Sequence, residues 1–429
     1  MKLKTLFLSF FILMFNSSCI TGLDYDYKYE SIYVSLDKIK DKIKFTTPKE
    51  IKDTGKIYTY KNYLFISAEN MGVHIIDNTD NKKPINKGFL QIPLNQDISI
   101  KGDILYADSL NEIVSIDISN FDKISVLKRI KLDDNYKSGK FKLDKDKGLE
   151  VGINRVPQYK AKTFSPITAR ALSYDSSSYF TPTGKSGSLS RFSIVNDYLY
   201  TVSNSDINVF DLKDSKNPEK IGKVEIDSSR KDIETIYSYK DKLFMGSATG
   251  AYIYDNQNPQ KPSFISKIEH IRSCDPIVVE NDTAYITLRG GNTCGSSNNE
   301  LDTIDISNIK LPKILKTYPL SNPWGLAIKD KILFVCDYKS GVKIFDAKDP
   351  NNLIEIKTIN IEKPKDIIIN ENNLGIIVSD NGIYEYDFSN VLQKTSFEQL
   401  SYIKAQSNSN ENNQTINGYY DWYKKYLEN

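Results

Sequence analysis

The stretch ILYADSLNEIVSIDISNFDK, residues 104–123, shows the pattern on which most of the chain is built. An apolar and aromatic run is followed by a polar break, then by a second apolar run that ends in aspartate, and then by a turn. Seven copies of this pattern occur. The marker aspartates that end the second run are Asp77, Asp117, Asp211, Asp255, Asp305, Asp346 and Asp387. They are 40 to 50 residues apart except for one interval of 94, so the sequence predicts one repeated unit with a single long insertion.

Each copy is long enough for four short strands. In the first copy, runs rich in Val, Ile, Tyr and Phe cover residues 57–61, 63–68, 72–77 and 87–92, and turn-forming residues separate them. A single sheet of this kind cannot bury both faces, whereas sheets stacked around an axis can. The sequence therefore predicts an all-β fold, a β-propeller of seven four-stranded blades over residues 56–404.

Turns rich in Asp, Asn and Pro follow the marker aspartates, as in DNTDNKKP at residues 77–84. Asp and Asn side chains bond the backbone two residues on and Pro fixes φ, which favours strand-joining turns. A calcium loop is the alternative, but it requires oxygen ligands at alternating positions and a glycine bend that these turns lack. We therefore predict neither a metal nor a cofactor.

Residues 1–18 have the features of an export signal, with a lysine-containing start, an apolar run and small polar residues before Cys19. The apolar run is about half of the roughly 20 residues that span a bilayer. A cysteine in this position is similar to the acylated residue of bacterial lipoproteins, and multiple acyl chains anchor a protein stably. We expect Cys19 to be lipidated and residues 19–55 to form a polar tether, with plain secretion as the alternative.

The predicted location is the bacterial cell envelope, and the outer membrane is favoured because Ile20 is not an acidic retention signal. The chain has 57 basic and 55 acidic residues, and two of the basic residues lie in the predicted signal. This balance argues against a nucleic-acid partner. The expected partners are the membrane, through the lipid, and a protein or a glycan.

Two segments depart from the repeat. Residues 133–190, between the second and third copies, are rich in Lys, Tyr, Ser and Gly, and so long an interruption is either decoration or a lid or partner-binding loop. Residues 405–429 begin as a polar linker, and the aromatic run YYDWYKKYL at 419–427 predicts a short helix. That helix either docks on the propeller or contacts a partner.

The cysteines after the signal are interpreted separately. Cys274 and Cys294 flank one predicted hairpin, and an oxidising envelope favours a disulfide between them. Metal binding by this pair is weakly supported because the chain has only two histidines, His74 and His270. Cys336 lies within an apolar strand and is predicted to be a small buried residue.

Propellers commonly bind ligands where the innermost strands begin, at the mouth of the central channel. Alignment of the copies places seven residues near this rim: Lys56, Asp97, Arg191, Thr235, Asp275, Trp324 and Asp366. Arg289 is expected nearby, through the hairpin that follows Asp275. Such a ring is typical either of a polar-ligand or peptide site or of a salt-bridged rim that closes the channel.

The strands VHIID, VSIDI and VKIFD resemble those that name the LVIVD-repeat family of bacterial β-propeller proteins. The resemblance covers roughly residues 55–400 and is strongest over residues 92–119 and 273–294. It implies a propeller fold and similarity to the larger envelope lipoproteins of that family. It implies no particular activity.

The leading hypothesis is a non-enzymatic binding or scaffold protein displayed at the envelope. No G-x-S-x-G, Walker-type or H-E-x-x-H motif occurs, and we predict no catalytic residues. One alternative is an envelope lyase or hydrolase that uses the rim carboxylates Asp97, Asp275 and Asp366. Another is an architectural surface protein that assembles through the insertion and the aromatic tail.

Overall fold

The computed structural model describes residues 26–52, 54–132, 143–144, 146–158, 187–189, 191–203, 205–226, 233–247, 250–269, 276–290, 298–393 and 397–406. Within these ranges, no helix has the length and apolar character needed to cross a bilayer. The predicted residues Cys19, Cys274, Asp275 and Cys294, and the predicted helix at 419–427, lie outside the described residues.

Seven four-stranded antiparallel sheets follow one another along the chain, which confirms the predicted seven-bladed propeller. Blade 1 consists of Ile57–Tyr60, Tyr63–Ala68, Gly72–Asp77 and Ile85–Gln91, and blade 2 of Ile98–Lys101, Ile104–Ser109, Glu112–Asp117 and Ser125–Lys131. Blade 3 consists of Phe192–Val195, Tyr198–Val202, Asp206–Asp211 and Glu219–Glu225, and blade 4 of Ile233–Tyr239, Lys242–Ser247, Gly250–Asp255 and Ser263–Glu269. Blade 5 consists of Ile277–Glu280, Thr283–Leu288, Glu300–Asp305 and Lys313–Pro319. Blade 6 consists of Pro323–Lys329, Ile332–Asp337, Gly341–Asp346 and Ile354–Ile359, and blade 7 of Pro364–Ile369, Leu374–Ser379, Gly382–Asp387 and Glu398–Lys404.

The four strands of each blade are consecutive in the chain, and the first strand is the innermost. First strands of successive blades contact one another around the whole ring, including those of blades 7 and 1. The core lies between neighbouring blades, where buried aliphatic and aromatic side chains of two sheets pack together. Between blades 1 and 2, for example, Phe65 and Val73 form one cluster with Leu105 and Val114.

The seven marker aspartates act as the predicted turn residues. In every blade, the carboxylate accepts a hydrogen bond from the backbone N–H two residues further on, as Asp77 does from Thr79 at 3.1 Å. This bond starts the turn between the third and fourth strands. The repeat that was visible in the sequence is therefore a repeat of turn chemistry as well as of apolar runs.

A β-bulge interrupts the pairing of the third and fourth strands at the same place in all seven blades. The extra residue lies on the outermost strand, for example Leu127 in blade 2 and Ile221 in blade 3. A bulge increases local twist and makes an edge strand a poorer template for pairing with another chain. The bulges therefore make the strand edges at the outside of the propeller less able to pair with another chain.

The segment that we predicted to be a tether is folded from Asp26 onward. Strand Asp26–Val34 pairs along its whole length with Gly148–Gln158 from the insertion, and Leu143–Asp144 adds a third, short strand. Helix Leu36–Lys40 follows. Strand Lys44–Thr46 then adds a fifth strand to the outer edge of blade 1.

Apolar packing explains why this segment is not a free tether. Val34 and Ile39 are buried in a cluster with Leu94 and Leu110, which lie in loops of blades 1 and 2, and with Leu149 of the insertion. Tyr29, Glu30 and Ser31 are exposed and Val34 is buried, so the composition of the strand resembles that of a polar linker. Its partner strand is more than 100 residues away in the chain.

The ring is closed by a segment that joins blade 7 to blade 1, here called the closing segment (residues 51, 52 and 54–56). Ile51 is buried among side chains of both blades, and its backbone C=O accepts a hydrogen bond from the N–H of Gln406 at 2.9 Å. The Thr54 hydroxyl donates to the C=O of Ser379, and the Thr54 C=O accepts from Lys365 Nζ at 3.1 Å. Among the described strands none is exchanged between the two blades, so the ring closes through these contacts and through packing of the two sheets.

Candidate functional site

Three of the predicted rim residues meet at the start of the innermost strands. The Lys56 ammonium is 2.9 Å from Asp97 Oδ2, and the backbone N–H of Arg191 donates to the same oxygen at 3.2 Å. The side chains of Lys56 and Asp97 are only 7% and 1% exposed. Burial lowers the pKa of Lys56 to about 8, although the neighbouring Asp97 favours the charged ammonium. The group is a buried ion pair rather than an open binding site.

A further carboxylate, Asp108, lies beneath this ion pair and was not predicted from the sequence. Its Oδ1 atom accepts the backbone N–H groups of Gln96 and Asp97 at 2.9 and 2.8 Å. Burial raises the pKa of Asp108, while these two N–H groups stabilise its charged form. The sequence does carry a signal for Asp108: an acidic residue at or near the end of an apolar second strand. Asp108 closes the run ILYAD, and Asp337 closes the corresponding run ILFVCD in blade 6.

Asp366 lies at the start of the innermost strand of blade 7, between two glycines. A Cβ atom on Gly187 would fall 1.7 Å from Asp366 Oδ2, and one on Gly325 would fall 2.2 Å from Oδ1. Asp366 Oδ1 accepts the backbone N–H of Ile367 at 3.0 Å; the N–H of Ser188 lies nearby, and Oδ2 is buried with no hydrogen-bond partner among the described residues. Burial raises the pKa of Asp366 to about 7, although these N–H groups and Lys56 favour the carboxylate.

The last residues of the insertion cross the mouth of the channel and are here called the peg (residues 187–189). Ser188 is buried, and its hydroxyl oxygen accepts the backbone N–H of Leu326 in the first strand of blade 6 at 2.8 Å. The chain then reaches Arg191 at the entry to blade 3. Because the peg contacts blades 6 and 7 and leads directly to blade 3, it spans the mouth. The peg therefore packs on the propeller. Residues 159–186 of the insertion lie outside the described residues.

Of the predicted rim residues, Lys56 and Asp97 form a buried salt bridge, Arg191 joins it through its backbone N–H, and Asp366 lies in a separate buried group. The space beside this ion pair, lined by Lys56, Tyr58, Phe65 and Asp97 among others, has essentially no volume open to a water molecule. Ligand pockets commonly have at least about 300 Å³. In the described part of the rim, the carboxylates of Asp97 and Asp366 belong to separate hydrogen-bonded groups and do not converge on an open pocket.

Trp324 and Arg289 form a different arrangement on the same side of the ring. The Arg289 guanidinium carbon lies 3.8 Å from the centre of the Trp324 ring. The Tyr338 ring also stacks on the indole, at 5.3 Å with an interplanar angle of 20°. The Tyr338 hydroxyl donates to Asp380 Oδ2 at 2.6 Å, and Asp380 Oδ1 is 2.5 Å from Lys365 Nζ. We call these five side chains the aromatic cluster.

The aromatic cluster spans three blades because equivalent loops meet at one face of the ring. Arg289 follows the second strand of blade 5, whereas Tyr338 and Asp380 follow the second strands of blades 6 and 7. Trp324 lies near the start of the first strand of blade 6. We call this side, which also carries the rim, the upper face. Arg289 and Trp324 were predicted from the sequence. Tyr338, Asp380 and Lys365 were not, because the prediction aligned only the residues that start the innermost strands.

The electrostatics of the aromatic cluster favour binding over proton transfer. Burial and the Asp380 carboxylate raise the pKa of Tyr338, so its hydroxyl stays protonated near neutral pH. All four of Arg289, Trp324, Tyr338 and Asp380 are half-buried, and Lys365 is buried. No group of three or more His, Cys, Asp or Glu side chains suited to a metal ion occurs within the described ranges.

The remaining predicted residues are placed as follows. Thr235 is buried on the first strand of blade 4. Cys336 is a fully buried free thiol in the second strand of blade 6, which confirms its predicted packing role. His270 lies outside the described residues. The predicted Cys274–Cys294 disulfide and the pairing of Arg289 with Asp275 remain predictions.

No protein-family model matches the chain, and no curated protein matches it. A protein from Lactobacillus plantarum has a TM-score of 0.54 at 12% identity, covering 84% of this chain and 98% of that chain. The periplasmic gluconolactonase PpgL from Pseudomonas aeruginosa has a TM-score of 0.52 at 9% identity, covering 82% and 96%. BamB from Moraxella catarrhalis has a TM-score of 0.47 at 8% identity, covering 85% and 92%. At these identities, the first two likenesses show the propeller fold alone.

His74, on the third strand of blade 1, is buried and unsuited to act as a general base. Its ring packs edge-on against Phe89 at 4.9 Å, and Nδ1 has no hydrogen-bond partner among the described residues. Burial, together with the nearby charge of Lys49, lowers the pKa of His74 to about 4. The imidazole is therefore neutral in the folded protein at physiological pH.

This burial predicts a pH-dependent loss of stability. The unfolded state binds a proton near pH 6.5 and the folded state only near pH 4, so His74 reduces the free energy of unfolding progressively as pH falls between these values, by about 3 kcal/mol in total. Denaturant unfolding of wild type and His74→Leu between pH 4 and 7 measures the effect. The raised pKa of Asp366 acts in the opposite direction in both proteins, so the difference between them isolates His74. Parallel curves would contradict the prediction.

Proposed function

We propose that this chain is a binding propeller of the bacterial cell envelope, anchored through a lipidated Cys19, that holds a protein or glycan partner on its upper face. The observation that carries the proposal is the contrast between the two sites on that face. At the channel mouth, Lys56 and Asp97 form a buried ion pair and the peg packs on the first strand of blade 6, whereas the aromatic cluster presents half-buried Trp, Tyr and Arg side chains.

The composition of the aromatic cluster supports a recognition role. Trp, Tyr and Arg are the residues most enriched among those that dominate binding energies at protein surfaces. Here they are ordered before any partner arrives, since Lys365 holds Asp380, Asp380 holds Tyr338, and the Tyr338 ring supports Trp324. A surface that is already ordered loses less conformational entropy on binding.

The same geometry gives no support to catalysis by the rim carboxylates. Asp97 is engaged by Lys56 and by two backbone N–H groups, its own neighbour Ile98 and Arg191. Asp366 is enclosed by Gly187 and Gly325. A hydrolase or lyase requires at least one such group within reach of a bound substrate.

A pull-down tests the proposal in two parts. The full chain is expressed with a C-terminal tag in its own bacterium, and incorporation of a labelled fatty acid is compared between wild type and Cys19→Ala. Envelope extract is then passed over wild type, Arg289→Ala and a control, Lys348→Ala. Lys348 lies in the turn after the third strand of blade 6, at the opposite face of the ring. We expect acylation that depends on Cys19 and a partner that the Arg289 variant retains poorly. Failure of wild type to retain any specific protein or glycan would contradict the binding role.

A further inference from the structure

We propose that the outer edge of blades 4 and 5 is a second binding surface, which takes an acidic partner protein. This surface is separate from the aromatic cluster, so the inference goes beyond the proposed function. It follows from three observations: the charge of the edge, its exposed apolar side chains, and the way the two blades are joined.

The outer edge of these two blades carries lysine and no acid. It consists of the turn after the third strand and of the fourth strand, over residues 256–268 in blade 4 and 306–319 in blade 5, and is here called the basic edge. Its five lysines are Lys261, Lys267, Lys310, Lys313 and Lys316. In the other five blades, an acid lies in the turn or starts the fourth strand: Asp80, Asp122, Asp214, Asp349 and Glu398. Two adjacent blades therefore form a basic stretch that the rest of the ring does not repeat.

The acids that border the basic edge only partly offset its charge. Glu269, which ends the fourth strand of blade 4, lies 3.0 Å from Lys267. The marker aspartates Asp255 and Asp305 accept backbone N–H groups of their own turns. Hydrogen bonds within the turn lower the pKa of Asp305, and Lys313 adds a smaller effect. Five lysines against these three acids leave the edge with a net positive charge.

Three large apolar side chains are exposed on the basic edge. Phe264, Leu311 and Ile314 are 56%, 65% and 47% exposed. The Phe264 ring packs edge-on against Tyr254 at 5.6 Å, and the Leu311 N–H donates to the Asn308 C=O at 2.8 Å within its turn, so both residues are held in place. Exposed apolar side chains within a polar rim are typical of a surface that another molecule covers.

The two halves of the basic edge form one surface because the turn of blade 5 packs on the fourth strand of blade 4. Ser266 Oγ donates to the Ile309 C=O at 2.5 Å. Beneath this contact, Ile268 and Ile306 lie in one buried cluster. A β-bulge interrupts both outer strands. We therefore expect a partner to dock on the side chains rather than to add a strand.

An acidic protein fits this edge better than an acidic polysaccharide or a bilayer does. A polysaccharide would pair with the lysines but leave Leu311 and Ile314 without apolar neighbours. A bilayer would match both features, but the segment that leads from the proposed lipid anchor packs on loops of blades 1 and 2, across the ring from blades 4 and 5. Carboxylates among apolar side chains on a protein match both features, and complementary charge orients the encounter.

Photo-crosslinking in the bacterium tests this inference. A benzophenone amino acid replaces Leu311 in the tagged full chain, and in a matched control it replaces Ile354 on the outer strand of blade 6. Ile354 is 59% exposed but lies beside Glu355. We expect one predominant protein adduct from position 311 and little from position 354. The crosslinked peptide of the partner should be rich in Asp and Glu.

Charge reversal then tests the role of the lysines. Lys310→Glu combined with Lys313→Glu should reduce the adduct by about tenfold or more, because it places like charges opposite the partner. Lys82→Glu combined with Lys83→Glu, in the exposed turn of blade 1, makes the same change of charge and should leave the adduct unchanged. The unfolding midpoints of both double variants verify that they are folded.

Each other result overturns the inference. Equal adducts from positions 311 and 354, or an adduct that charge reversal at Lys310 and Lys313 does not reduce, show that the basic edge is not what the partner recognises. An adduct with a second copy of this chain identifies self-assembly instead, and label recovered only with lipid or polysaccharide excludes a protein. No adduct from position 311 removes the partner. The pull-down with Arg289→Ala tests the upper face independently, so the two proposals can fail separately.

Discussion

A chain that begins at Lys56 is expected to lose most of the stability of the propeller, although the sequence predicts that position as the start of the repeats. Residues 26–55 supply Val34, Ile39 and Ile51, which are 7%, 0% and 3% exposed. Burying a side chain of this kind contributes about 1.5–3 kcal/mol, so the three together contribute roughly 5–9 kcal/mol. This is comparable with the 5–15 kcal/mol that is typical for a whole protein.

The loss of ring closure adds to this effect. Without Thr54, the Ser379 C=O and the Lys365 ammonium lose their partners in the closing segment, and both residues are buried. Blade 7 would then meet blade 1 without the segment that fills their junction. We expect the shortened chain to be insoluble or to unfold at a much lower denaturant concentration than a chain that begins at Asp26.

Urea unfolding of the two chains measures the difference, and two point variants locate it. Ile51→Ala in the longer chain is expected to cost about 2–5 kcal/mol, because it leaves a cavity between blades 7 and 1. Thr54→Val retains the shape and removes the hydroxyl, with an expected cost of about 1–2 kcal/mol. Equal unfolding midpoints for the chains that begin at residues 26 and 56 would refute the closing role.

Substitution of Gly187 is expected to be the most damaging change within the peg. A Cβ atom there would lie 1.7 Å from Asp366 Oδ2 and 2.1 Å from Cγ, and Gly325 blocks retreat on the other side of the carboxylate. Overpacking in a rigid site typically costs about 1–3 kcal/mol and sometimes more. We expect Gly187→Ala to cost at least this amount by displacing either the peg or Asp366.

A double-mutant cycle separates this clash from other effects of the substitution. Asp366→Ala removes the carboxylate, so Gly187→Ala should cost much less in that background than in wild type. The interaction energy is then about the cost of the clash. Thermal or urea unfolding of the four proteins provides the values. Additive costs would mean that the peg does not pack on Asp366 as the structure shows.

Much of the propeller could be predicted from the sequence because its determinants are local and repeated. A blade consists of four consecutive strands, so strand-forming runs and turn residues appear in chain order. The marker aspartates bond backbone groups only two residues away, which makes their role readable without a partner. The starts of the innermost strands could be aligned for the same reason, and Lys56 and Asp97 were thereby placed together.

The contacts that the sequence did not reveal join segments that are distant in the chain. Strand Asp26–Val34 has the composition of a linker and becomes a strand only because Gly148–Gln158 lies beside it. Thr54 bonds Ser379 across 325 residues, and Ser188 bonds Leu326 across 138. No periodicity reports such pairs.

The sequence by itself determined the seven-bladed architecture, since each blade is specified by short-range turn chemistry and by alternating apolar residues. Only the tertiary structure decided how the ring closes, what fills the channel mouth and which upper-face side chains meet. Those outcomes depend on the packing of chain segments brought together by the completed ring, where shape and burial rather than local propensity choose the partner. That is why Lys56 and Asp97 proved to be a buried ion pair, while Tyr338, Asp380 and Lys365 joined Trp324 and Arg289 in the cluster on the same face.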